Sequence, residues 1–287
     1  MMVRIGIFAA ALITSVATAA VAADLPLKAP PMAQVPNSTW TGFYLGGNAG
    51  YGGIDPTASF TPNDPLSASI TCGLSGYAGG GCPPATAFTI RGALAGVQAG
   101  YNIQMNQAFL IGLEADYDWS QIRGIGYSNF GLDFSPSTFH AGEEVTYFGT
   151  IRGRLGYLPV SKVLLFATGG LAYGQVQQTV GLDSGQGGIS IGGGNGYNCS
   201  GGPNCFFGSS SHTSIGWTAG AGFEYALSSN LRFKAEYLFV DLGGGQVVNV
   251  VAQSAGSVSP PAAPSSFTAA YGSVSFQVLR AGINVAF

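Results

Sequence analysis

"SVSFQVLRAGINVAF", Ser273 to Phe287, alternates its side chains without a break and finishes on an aromatic residue. Phe287, Val285, Ile283, Ala281 and Leu279 fall on one face, and Ala286, Asn284, Gly282, Arg280 and Val278 on the other. A period of two is the spacing of a β-strand. The stretch alone leaves open which face meets a core and which meets the surroundings, so the decision passes to the rest of the chain.

Only 8% of the 287 residues are charged, and 46 are glycine. Soluble domains carry about 25% charge, so this chain has too few charges to cover an ordinary water-facing surface. Glycine spread through nearly every segment disfavours long helices, at a cost of roughly 1 kcal/mol each relative to alanine. The composition predicts β structure. A net charge of −3 without any basic run argues against nucleic acid as a partner.

Residues 1–23 place Arg4 before an apolar run and end in small residues, which reads as a signal peptide cut after Ala22 or Ala23. A permanent helical anchor is the competing reading, disfavoured because the end of the run is rich in alanine rather than leucine. Residues 24–39 are Pro-rich and predict an extended periplasmic tether. No later segment has a comparable apolar run, so a membrane location after export requires strands.

Strands are predicted at Thr41–Gly52, Gly92–Met105, Phe109–Gln121, Val145–Leu158, Val163–Val176, Ser214–Leu227, Leu231–Leu242 and Ser273–Phe287. Tight turns are expected at Asn106–Ala108, Pro159–Lys162 and Ser228–Asn230. Long connections, 53–91, 122–144, 177–213 and 243–272, alternate with them. Short and long connections in strict turn are the pattern of an outer-membrane barrel with brief periplasmic turns and longer outer loops.

The charges settle the opening question. Glu114, Asp116 and Asp118 oppose Phe109, Ile111, Leu113, Tyr117 and Trp119; Arg152 and Arg154 oppose Ile151 and Leu155; Arg232, Lys234 and Glu236 oppose Leu231, Phe233, Tyr237 and Phe239. Glu224 and Arg280 fall on the polar faces of the sixth and eighth strands. Five acids and five bases thus share one set of faces, while the other faces are apolar and nothing remains to cover them. The expected fold is all-β: an eight-stranded antiparallel up-and-down transmembrane β-barrel over 40–287, apolar outside and with its charges paired inside. Tyr51, Tyr101, Trp119, Tyr157, Tyr173, Trp217 and Tyr225 supply further rim or lipid-facing aromatics.

The stretches "WTGFYLGGNAGYG" (Trp40–Gly52), "FKAEYLFVDLG" (Phe233–Gly243) and "RAGINVAF" (Arg280–Phe287) resemble the alphaproteobacterial outer-membrane immunogenic proteins, small barrels classed as porin-family or OmpA-like. The resemblance spans essentially the whole mature chain. It implies a bacterial outer-membrane location, loops displayed at the cell surface and a structural or antigenic role. Some relatives are described as haemin-binding or as porins, and no motif here carries either activity over residue by residue. Expected partners are outer-membrane lipid and lipopolysaccharide, with periplasmic chaperones and the barrel-assembly machinery during biogenesis; self-association stays open. Phe287 closes the last strand, so peptidoglycan attachment through a following soluble domain is not expected.

Cys72 and Cys82 share the first long connection, and Cys199 and Cys205 the third. In an exported chain, proximity favours the disulfides Cys72–Cys82 and Cys199–Cys205 among three pairings, well ahead of a metal site. His140 and His212 lie in outer connections and read as solvated loop histidines, haem or metal ligation being the alternative. His212–Thr213–Ser214 resembles part of the His-x-Ser motif of lipid A deacylases. Its two side chains face inward in the register set by Ile215 and Trp217, and Ile215–Gly216 departs from the rest of the motif. No catalytic residue, cofactor site or metal site is assigned, and no enzyme activity is expected. Eight strands leave an interior just wide enough for side chains, which favours a filled barrel. The alternative is a narrow or gated pore, with hydrated gaps at Gly46, Gly50, Gly100, Gly220 and Gly222.

Overall fold

The computed structural model describes residues 40–65, 67–68, 85–132, 135–184, 188–192, 195–198, 204–252 and 265–287. The expected signal peptide and tether, 1–39, lie outside the described residues, as do Cys72, Cys82 and Cys199.

The described strands, in chain order, are β1 (Gly42–Ile54), β2 (Thr57–Pro62), β3 (Thr86–Ala87), β4 (Ile90–Gln104), β5 (Phe109–Leu132), β6 (Ser135–Val160) and β7 (Val163–Ser184). They continue as β8 (Gly188–Gly192), β9 (Asn195–Asn198), β10 (Asn204–Ala226), β11 (Leu231–Asp241), β12 (Val247–Ala252), β13 (Ser266–Tyr271) and β14 (Ser275–Ala286). Eight of them, in the order β14–β1–β4–β5–β6–β7–β10–β11, pair antiparallel with their neighbours, and β11 pairs back onto β14 to close the ring. Closure removes every sheet edge at this level. Short turns make it feasible: at the first, the Asn106 side-chain oxygen accepts the backbone N–H groups of Ala108 and Phe109 at 2.8 and 2.9 Å.

Four strands run well past their expected ends. The stretch 122–144, read as a loop, is instead a continuation of the β5–β6 ladder, and β7 and β10 extend likewise through much of 177–213. The physical reason is an inversion of polarity along the strand. On β7 the outward residues are Leu165, Ala167, Gly169, Leu171 and Tyr173, then Gln175, Gln177 and Thr179. The inward residues of the second part are Gly174, Val176, Gln178, Val180 and Leu182, all buried and apolar but for Gln178. An apolar-out strand thus becomes an apolar-in strand without leaving the sheet.

The extended parts of β5, β6, β7 and β10 build a second wall. There β11, β14, β1 and β4 are replaced by short strands from the first and last long connections, in the order β10–β12–β13–β2–β3, with β3 lying against β5. The crossover from β11 to β12 turns through Gly243 and Gly245 at φ +79° and +82°, a left-handed region that glycine enters without steric cost. Asp64 ties the two connections together, its carboxylate accepting from the Ser265 hydroxyl and the Ser266 N–H at 2.8 Å each. The small β8–β9 hairpin pairs only with itself.

Candidate functional site

Among the described residues, the interior of the ring brings charge, aromatic rings and apolar side chains together, and it is filled at three successive levels. The floor, at the short-turn end, is an apolar cluster of Trp40, Leu110, Leu158, Leu164, Phe166 and Ala226. Trp40 is wholly buried, and its indole N–H donates to the Ser161 carbonyl at 3.0 Å. The Arg232 guanidinium lies over its ring, 4.4 Å from the centroid.

Above the floor lies the ionic layer. The sheet register sets Glu114 opposite Arg152, Glu224 opposite Lys234 and Glu236 opposite Arg280. Arg152 bonds Glu114 at 2.5 Å, Asp116 at 2.7 Å and Glu236 at 3.0 Å. Lys234 bridges Glu114 and Glu236 at 2.6 and 2.8 Å. Arg280 contacts Asp116 at 2.6 Å, Glu236 at 2.8 Å and Asp118. Arg154 bonds Glu114 at 3.3 Å and Glu224, and stacks 4.1 Å above Phe166. All ten side chains are buried. A buried ion is tolerated only where partners replace its hydration, and here Glu114, Asp116 and Glu236 are each shared between two or three cations, while Asp118 is held by Arg280 and Glu224 by Arg154.

Neutral groups complete the layer, and these the charge pattern alone did not single out. The Tyr44 hydroxyl donates to Glu114 and accepts from Arg154, both at 2.6 Å. Thr150 donates to Asp116 at 2.9 Å, and Gln98 to Asn284 at 2.6 Å. The signal for Tyr44 was present in its parity, since it shares the inward face of β1 with Gly46, Asn48 and Gly50. Inward glycines are where neighbouring side chains lie: a Cβ on Gly100 would meet the Tyr44 ring at 2.3 Å, and one on Gly50 the Cβ of Arg280 at 2.6 Å. At Gly50 and Gly100 the space beside the backbone is taken by neighbouring side chains.

The third level, toward the long connections, is apolar again. Phe148, Phe276, Leu238, Val240 and Val278 close the ring above the charges, and Phe60, Phe139, Phe206 and Phe267 continue the core into the second wall. Phe148 and Phe276 meet edge-on at 5.1 Å, and Phe139 and Phe267 at 5.2 Å. Near the top, Tyr271 donates to the carbonyls of Thr179 and Gly142 at 2.9 and 3.1 Å, pinning β13 to the β6–β7 extension.

The remaining candidates lie apart from this layer. Cys205 is buried at the start of β10 and disulfide-bonded. His140 hydrogen-bonds Asp183 at 3.0 Å. His212 and Ser214 occupy the inward face of β10, opposite Ile215, which is 75% exposed, and Trp217; burial pushes the His212 imidazole down. Among the described residues no group of three or more His, Cys, Asp or Glu side chains is placed to hold a metal ion.

The outer wall carries a band of exposed apolar side chains between two aromatic rims. Phe43 and Tyr101, at 4.5 Å, and Phe109 and Tyr157, at 5.5 Å, mark the short-turn rim. Tyr117 with Trp119 and Tyr147, and Trp217 with Phe239, mark the other, at 5.1–5.4 Å. A water-excluded band between aromatic girdles is the surface a bilayer requires.

Residues 8–287 match the outer membrane protein beta-barrel domain family. The chain is 35% identical to the 31 kDa outer-membrane immunogenic protein of Brucella melitensis over 243 residues, 82% of this chain and 85% of that one. It is 27% identical to the 22 kDa outer membrane protein of Rhizobium leguminosarum bv. viciae over 206 residues, 72% of this chain and 66% of the relative. Among solved structures, Neisserial surface protein A aligns at 16% identity and a TM-score of 0.36, covering 86% of this chain and 98% of that one. OprG of Pseudomonas aeruginosa aligns at 10% and 0.42, covering 87% and 98%.

Proposed function

The chain belongs to the outer-membrane protein β-barrel family and resides in the bacterial outer membrane, and from that premise we propose that it is a sealed barrel, a structural and antigenic surface protein. Its lumen carries no solute. The observation behind this reading is the three-level filling of the ring: an apolar floor under Trp40, a shared network of buried charges, and an apolar core above Phe148 and Phe276. Water and ions would have to break packed carboxylate–guanidinium contacts to pass, and each uncompensated buried ion costs several kcal/mol.

The long connections face the exterior in this reading, because their strands fold into a polar-out, apolar-in cap suited to water, while the opposite rim has only tight turns. The cap is the part that other cells and antibodies meet, in keeping with relatives named as immunogenic. The deciding measurement is planar-bilayer conductance of the folded protein, paired with surface labelling of an epitope inserted between Gly244 and Gly245. Silent bilayers and a labelled epitope are expected. Stable unitary currents would replace the sealed reading with a narrow pore.

A further inference from the structure

Ten lysine and arginine residues occur in the chain. Arg4 and Lys28 precede the described residues, five others form the lumen layer, and Lys162 sits in the short β6–β7 turn. Two are left, Arg91 and Arg123. They are the only basic side chains that the described residues place on the outer wall of the long-connection half, and the β4–β5 register sets them directly opposite each other.

Both are exposed and point outward, sharing the parity of Trp119 and Gln121 on β5. Like charges directly opposite on an antiparallel pair repel. Neither guanidinium has a carboxylate within 4.0 Å among the described residues. The nearest acids in the register are Glu144, opposite Arg123, and Asp55, two residues beyond the Gly53 that pairs with Arg91; the Asp55 carboxylate accepts from Thr89 at 2.6 Å. Glu144 and Asp55 offset part of this charge, but neither closes a contact on the two guanidinium forks, which stay open to an anion from elsewhere.

Their height on the wall says which anion. The row Gln277–Gly53–Arg91–Arg123–Glu144–Gln177 is the first polar row beyond the aromatic rim of Tyr51, Trp119 and Tyr147. This is the level at which lipid headgroups meet the wall. At Arg91 a groove of about 460 Å³ opens on the outer surface, lined also by Asp55, Tyr51, Tyr237, Gln277 and Leu279. The Arg91 stem lies across Gly53, where a Cβ would meet its Cγ at 2.8 Å. The upper groove therefore sets Arg91 beside Asp55 and polar side chains, and its lower part is aromatic and aliphatic.

We propose that Arg91 and Arg123 together clamp a phosphate of an outer-leaflet glycolipid whose acyl chain descends the groove over Tyr51, Tyr237 and Leu279. Two guanidinium forks offer the planar, multidentate donor set that phosphate oxygens accept. The assignment rests on the reading that the long connections face outward.

The test uses the full-length mature protein, folded in detergent, and the variant Arg91→Gln/Arg123→Gln, with heat-modifiable gel mobility confirming that both are folded. Native mass spectrometry then measures retention of lipid A carrying two phosphates, of the same lipid A after enzymatic dephosphorylation, and of wild-type complexes challenged with inorganic phosphate. The wild type is expected to retain the phosphorylated lipid at least about tenfold better than the dephosphorylated one, the scale of one charge-assisted hydrogen bond. The variant should lose that preference, and millimolar phosphate should leave the complex intact. Equal retention by the variant, or equal retention of dephosphorylated lipid, overturns the clamp, and displacement by inorganic phosphate makes it a free-anion site. The Gly244–Gly245 epitope separates this from the orientation: a displayed epitope without lipid retention defeats the clamp alone, whereas a hidden epitope with retention defeats the outer-leaflet assignment.

Discussion

Arg152 on β6 bonds Glu236 on β11 at 3.0 Å, although three strand-to-strand steps separate them around the ring. The same guanidinium also holds Glu114 and Asp116 on the adjacent β5. One side chain therefore braces both the near wall and a distant one, and the lumen is as wide as an arginine and a glutamate can span.

Removing that brace takes one cation from each of three carboxylates, which keep Arg154, Lys234 and Arg280, and leaves five buried acids against four bases. Arg152→Ala should lower the stability of the detergent-folded barrel by about 3 kcal/mol, the lower end of the cost of breaking a buried ion pair. Adding Glu236→Gln to Arg152→Ala should cost less than the two single changes summed, because the second restores the balance of buried charge that the first upset. Urea titrations followed by heat-modifiable mobility read both. A lumen full of water would show neither the loss nor the coupling.

Trp40 lies at the centre of the floor, and in the sealed reading it is one barrier of three. Trp40→Ala opens a cavity beneath Arg232 and should destabilise by about 3–5 kcal/mol, as large aromatic truncations do. Conductance should remain silent, because the ionic layer and the upper core are untouched. A Trp40→Ala barrel that conducts, beside a silent wild type, would assign the whole seal to this one indole.

The ring is legible in the sequence because, between the rims, every strand is apolar on its outward face and every charged side chain falls on an inward one. Phe109 to Trp119 display it without exception at the charged positions. Beyond the outer rim this arrangement reverses: Ile122, Phe139, Ala141, Val180 and Leu182 stay in phase with the lumen but are apolar and buried, so the barrel pattern of apolar-out alternation ends there while the strands continue. Long-range partners were hidden for a different reason. Glu224 stands opposite Lys234 in the register yet bonds Arg154, while Lys234 reaches across to Glu114. Which charges meet inside a barrel depends on strand tilt and stagger, which alternation does not encode.

Cys205 anchors the start of β10 from a buried position. Non-reducing peptide mapping of the exported protein should recover Cys199 linked to Cys205 and Cys72 linked to Cys82. Cross-links between the two connections would instead tie the first long connection to the third. Loops this short gain only modest stability on closure, so reduction should leave the ring's thermal transition nearly unchanged while raising proteolysis of the connections.

The cap should respond to pH through Glu143. This carboxyl faces inward on the β6 extension, 3% exposed, with the Gln178 amide donating to it at 2.8 Å. Burial pushes its pKa above the ordinary carboxylate range, and the Gln178 bond offsets only part of the rise. The folded cap thus favours the protonated form. Its contribution to stability is complete below the ordinary carboxylate pKa of about 4.3 and is lost as pH rises through the raised value. Protection factors for amide exchange in the β6–β7 extension should therefore fall as pH rises above the ordinary carboxylate pKa and through the raised one in the wild type, while those of the ring hold steady. Glu143→Gln keeps the shape, removes the proton, and should flatten the dependence. Tyr271→Phe supplies the control. It withdraws the hydroxyl from the Gly142 and Thr179 carbonyls and should lower cap protection by about 0.5–1.5 kcal/mol at every pH, the worth of an ordinary hydrogen bond. If Glu143→Gln retains the wild-type slope, another group drives the response, and the buried carboxyl has no part in it.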